Sequence, residues 1–176
     1  MLWMMVTTAA IVIFALRGSY SIEAMGLGIP KIQATGLILA LGLALRVGVT
    51  ITGELISASG PVHQLSFSAS WQYAIWAFVQ EFILQSFFFL RLETLLGGRW
   101  AVLAAAVLFS GAHLPNLLLV MLTFPMALLF CQLFRFYRSI WPLGLVHAAL
   151  GLTMAASFSD TTLHHMRVGI GYLLLH

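Results

Sequence analysis

Charge is what this sequence has least of. Only 7% of its 176 residues are Asp, Glu, Lys or Arg, whereas 61% are hydrophobic, and the mean hydropathy is +1.03. A water-soluble domain carries about a quarter charged residues, so this balance excludes a soluble globular fold and intrinsic disorder alike. Cysteine is nearly absent too: Cys131 stands alone inside an apolar run, so no internal disulfide is possible and the redox compartment stays unread. No solenoid-type repeat is present, and no polar interval is long enough for a linker or a soluble domain. Residues 1–176 therefore read as a single transmembrane domain with a motif core over about 67–158.

What fills the chain instead is apolar runs. A membrane span needs about 20 apolar residues, fewer where the bilayer thins. Six such runs fit, over 2–16, 35–57, 67–90, 100–113, 117–134 and 140–158, and predict an all-α polytopic helical bundle with about six transmembrane helices. A further piece, 168–175, is too short to span and is expected at the interface or against the bundle. The first run has no preceding Lys or Arg and no small-x-small cleavage pattern before Arg17, so it reads as a retained span. The 35 residues 100–134 would measure about 52 Å as one helix, too long for one crossing, and Pro115 is the expected break. Trp71, Trp100 and Trp141 fall where interfacial anchors belong. The interval 17–33 mixes Ile22, Met25, Leu27 and Ile29 with charges, as a segment lying on the inner surface would.

The formal net charge of +3 is a topology signal rather than a nucleic-acid surface. Arg17 and Lys31 follow the first run, Arg91 and Arg99 the third, and Arg135 and Arg138 the fifth. The loop after the second run, SASGPVHQLS, carries no basic residue, and beyond the sixth only Arg167 appears. The positive-inside rule then puts both termini on the non-cytoplasmic side.

The third run, AIWAFVQEFILQSFFFLRLE, raises the chemical question. Gln80, Glu81 and Gln85 lie within about a third of a helix circumference, in a setting where each must find a partner. Glu81 near the middle of this run, His147 near the middle of the sixth, His113 beside the Pro115 break and Arg46 inside the second run are the ionisable groups at membrane depth. Gln80 and Gln85 read equally as interhelical hydrogen-bonding glue, and Arg46 as the partner of Glu54 or Glu81. FSGAH puts Phe109 and His113 on one helical face, and HAALG puts Gly151 one turn beyond His147.

In order and surroundings, QEFILQ (80–85), FSGAH (109–113) and YRSIWPLGLVHAALG (137–151) resemble the CPBP family of CAAX proteases and bacteriocin-processing proteins, also called Abi or glutamic-type intramembrane proteases. That family carries a Glu-Glu-x-x-x-Arg helix, then Phe-x-x-x-His, then His-x-x-x-Asn. SIWP, HLPN and IEAMGLGIP share its character. The resemblance implies that the first Glu and the first His activate a water against a peptide bond, while the second His and the Asn stabilise the oxyanion. The matching positions are Gln80, His113, His147 and Gly151. Gln80 is an amide and no base, Gly151 offers no side-chain donor, and Gln85 stands at the Arg position. A register that makes Glu81 the first Glu would put Phe82 beside it and Ser86 at the Arg position, which fits worse.

Three readings remain open. The first is an intramembrane endopeptidase acting on lipid-modified or membrane-embedded peptides, with Glu81 and His113 on the water, His147 on the oxyanion, and Gln80, Gln85, Phe109, Arg46 and Gly151 in support. The second is an inactive family member serving as a membrane scaffold or complex subunit. The third is an acid-base enzyme on an isoprenoid or other lipid. No cofactor is expected: no His-Glu-x-x-His is present to hold zinc, and the paired histidines of LHHMR lie past the sixth run. The expected partners are membrane lipids, a peptide substrate or a membrane protein, and no nucleic acid.

Overall fold

The structure is a computed structural model and describes residues 2–56 and 65–174. The regular structure is helical throughout the described residues. Six helices carry it: α1 (Leu2–Leu16), α2 (Ile32–Ile56), α3 (Phe67–Leu96), α4 (Gly98–Gly111), α5 (Leu117–Tyr137) and α6 (Ile140–Ser157). Each expected apolar run thus forms a helix. Four of them, α2, α3, α5 and α6, are long and apolar enough to cross a membrane, while α1, with 15 residues, and α4, with 14, are shorter. Beyond α6 the chain makes only short turns of helix, Asp160–Leu163, His164–Met166 and Ile170–Leu173. Of the expected interfacial piece, Ile170–Leu173 is helical among the described residues. All of the uncharged loop expected after α2 except Leu65 and Ser66 lies outside the described residues.

Local chemistry sets the ends. Ser66 caps α3 by accepting from the Ala69 N–H at 3.1 Å, and Asn116 caps α5 by accepting from Leu119 N–H at 3.2 Å. Helix α3 outruns its expected end because LRLETLL continues with good helix formers, and it stops at Gly97, whose φ of 78° other residues adopt at a cost. Pro115 interrupts the chain between α4 and α5 as the length argument requires. Asn116 does more than cap: its side-chain amide donates to the carbonyls of Leu163 and Arg167 at 3.1 and 3.2 Å, strapping the C-terminal segment across this break.

Inside α3, Phe82–Phe89 winds as a π-helix, with the Leu90 N–H bonded to the carbonyl of Gln85, five residues back. The wider turn aims Phe82, Leu84, Gln85, Ser86 and Phe89 inward together. Against it pack α1, α4 and α5, with Phe89 edge-to-face on Phe134 at 5.7 Å. The segment 17–31 does not simply lie on a surface. Met25 is buried, its carbonyl accepts from Ser86 Oγ at 2.6 Å, and the Gly26 carbonyl accepts from Ile140 N–H at 3.0 Å, which pins this segment between α3 and the start of α6.

Helix α6 is central, packed on both α2 and α3, while α4 and α5 form the opposite wall. The approach of α3 to α6 is close enough that a Cβ on Gly144 would overlap the Phe78 ring. The outer faces remain apolar: Leu43, Leu55, Leu103, Val107, Met121 and Leu145 are all exposed, the pattern of a bundle solvated by lipid.

Candidate active site

Adjacent residues of a helix point about 100° apart, so the neighbours Gln80 and Glu81 meet different surroundings. Gln80 belongs to a stripe with Tyr73, Trp76 and Leu84 that lines a cavity of about 450 Å³. Glu81 turns instead into the protein, where it is 0% exposed and takes no part in the lining. The opposite walls of the cavity come from Phe109 and His113 at the end of α4, from α5, and from His147 and Gly151 on α6. Met166 and Val168 of the strapped C-terminal segment complete it.

A carboxylate so deeply buried requires partners, and Glu81 has two. One oxygen lies 2.9 Å from His147 Nδ1, and the other accepts from Gln85 Nε2 at 3.2 Å. The His147 side chain is 15% exposed and borders the cavity, so with Nδ1 turned to Glu81 its Nε2 is the nitrogen left for a ligand. Aromatic rings fix the imidazole plane, Phe109 at 6.0 Å and Phe130 at 6.1 Å between centroids. His113 is held within its own turn. Its Nδ1 lies 2.8 Å from the Phe109 carbonyl, and its ring leans on that phenyl group at 4.9 Å. Because a carbonyl can only accept, Nδ1 carries the proton and the Nε2 of neutral His113 is an acceptor.

The structure thus brings Glu81, Gln85 and His147 together, sets Gln80, His113 and Gly151 around the same cavity, and places the Glu81 carboxylate on His147 rather than on His113. Arg46 departs from expectation. It is exposed on α2 and forms no ion pair with Glu54 or Glu81 among the described residues. Helix α2 buries Ile38, Gly42 and Gly53, and Arg46, one turn past Gly42 at the margin of that stripe, stays exposed. His165 pairs with Asp160 at 3.2 Å, at the edge of the cavity. Among the described residues no three His, Cys, Asp or Glu side chains gather as metal ligands.

Tyr73 and Trp76 escaped the sequence reading. Their signal was present as spacing, since they precede Gln80 by seven and four residues and so share its face. In an apolar span that stripe is indistinguishable from packing until the facing helix is known.

These features define an integral membrane helical bundle with a buried carboxylate and two histidines gathered around one cavity. Residues 62–153 match the family described as type II CAAX prenyl endopeptidase Rce1-like, and the chain belongs to that family. The match agrees with the CPBP resemblance carried by the three motifs. No curated protein and no solved structure matches the chain.

Proposed function

We propose that this chain is an intramembrane endopeptidase that hydrolyses a peptide bond in a lipid-modified or membrane-embedded peptide, without a metal or other cofactor and with no nucleic-acid partner. The observation that carries this reading is the Glu81–His147 contact at the cavity wall. With Gln80 an amide, the base must come from elsewhere. An imidazole whose Nδ1–H is held by a buried carboxylate is a general base in a fixed tautomer, and the carboxylate stabilises the imidazolium that forms.

His147 Nε2 takes a proton from water, whose oxygen bonds to the carbonyl carbon. His113 Nε2 orients the same water as a second acceptor. The proton then passes from His147 to the leaving nitrogen as the C–N bond breaks. Gln80 contributes an amide donor to the carbonyl oxygen, a role open to it although that of base is not. Glu81 acts through His147 and is a positioning residue in this scheme. The basic residues at and just beyond the C-terminal ends of α1, α3 and α5 support placing both termini on the non-cytoplasmic side; protease protection of terminal tags would check that orientation.

The direct test is the purified protein in liposomes with a prenylated CAAX peptide, cleavage being read by mass spectrometry. Release of the C-terminal fragment by the native chain, and its loss in His147→Ala, is the expected result. A second reading has an observation in its favour, because the amide Gln80 occupies the cavity position where the family carries Glu. An inactive scaffold predicts no turnover by the native chain and a gain of cleavage in Gln80→Glu.

A further inference from the structure

Stabilisation of the carbonyl oxygen is the weakest part of this site. Both imidazoles have Nδ1 engaged and present Nε2 as an acceptor, so in their neutral forms neither gives a proton to a developing oxyanion. The family's donor on α6, the Asn four residues after the second His, is Gly151 here and has no side chain. Of the motif positions, only Gln80 still offers a side-chain donor.

The space that Gly151 leaves is not empty. A Cβ built there would overlap the hydroxyl oxygen of Tyr73, with the phenol ring directly behind it. Tyr73 sits on the α3 stripe that carries Gln80, and both it and Gly151 line the cavity. Gly151 lies four residues past His147, about 6 Å along α6, so the phenol oxygen reaches α6 about one turn from that histidine. Among the described residues the Tyr73 hydroxyl has no hydrogen-bond partner, which leaves its proton for an occupant of the cavity. Any side chain at 151 would collide with this ring, so Gly151 and Tyr73 form one arrangement: the first makes room, and the second fills it with a donor.

We infer that the Tyr73 hydroxyl supplies the oxyanion donor that the missing Asn side chain at position 151 would have given, by donating a hydrogen bond to the scissile carbonyl oxygen of the substrate peptide. This rests on the endopeptidase reading. The hydroxyl stays protonated throughout; no bond to it forms or breaks beyond that hydrogen bond.

Tyr73→Phe removes the proton and keeps the ring against Gly151. Two readouts are compared in liposomes: cleavage of a prenylated CAAX peptide, and binding of a phosphinate version of that peptide whose tetrahedral group mimics the attacked carbonyl. Loss of one oxyanion donor lowers kcat by about 100-fold. The expected result is that fall in kcat with KM within about twofold, weaker phosphinate binding by at least about tenfold, and an unchanged melting temperature. In a Tyr73→Ala background, Gly151→Asn has room for its amide and restores part of the lost rate. If the native chain cleaves and Tyr73→Phe cleaves equally well, Tyr73 is packing only, and the inference fails while the endopeptidase reading stands. If the native chain neither cleaves nor prefers the phosphinate over the parent peptide, the enzyme reading itself fails and the inference fails with it.

Discussion

His147 and His113 border the same cavity, yet the protein holds them by different means. The first is anchored across a helix interface to a fully buried carboxylate; the second is anchored within its own turn to a backbone carbonyl. A carbonyl fixes direction and tautomer. A carboxylate does both and also stabilises positive charge on the ring, which is what a base needs at the moment it takes a proton. In the proposed mechanism the pairing ranks the two imidazoles, with His147 as the base and His113 as the orienting partner, the reverse of the roles that the family resemblance implies.

Substitutions can break this ranking or sharpen it. His147→Ala has the largest expected effect, a fall in kcat of about 1,000-fold, within the range general-base catalysis contributes; an effect smaller than that of His113→Ala, in the same cleavage assay, would reverse the ranking. Glu81→Gln keeps shape and a hydrogen-bond acceptor for His147 but removes the charge. It is expected to lower kcat by about 100-fold while KM changes less than about twofold, and a proportionate rise in KM would instead mark general damage to the cavity. His113→Ala, which in this scheme loses orientation of the water only, is expected to lower kcat by less than either of these substitutions.

Smaller still is Gln85→Leu, which tests the far side of the carboxylate. It deletes the bond to Glu81 and with it a buried amide oxygen that has no partner among the described residues. The two effects oppose, so a thermal melt in detergent is expected to shift stability by about 1 kcal/mol or less.

Legibility in the sequence divides along the same line. The helices were legible because lipid solvation demands long apolar runs whatever they pack against, and Pro115 was legible because no single crossing accommodates 100–134. The fate of Glu81 was not. Its direction depends on the neighbouring π-turn and on where α6 lies, and neither leaves a mark in hydropathy. Arg46 was misjudged for a related reason: within an apolar run nothing in the residue order tells the stripe of α2 that meets α6 from the stripe that meets lipid. Gly151 had a local signature as a missing side chain, whereas the ring that fills its space comes from 78 positions upstream and is visible only once α3 and α6 lie together.

Helix α4 carries one more consequence. Its 14 residues measure about 21 Å, against a hydrocarbon thickness of about 30 Å, and His113 lies just beyond its end. On the six-span expectation, a host membrane thins around this wall or lets headgroups and water dip toward the imidazole. The surrounding lipid thereby becomes a working part of the protein: in vesicles of graded acyl length, turnover should be highest where the tails are short and fall as they lengthen, with the amino-acid sequence unchanged.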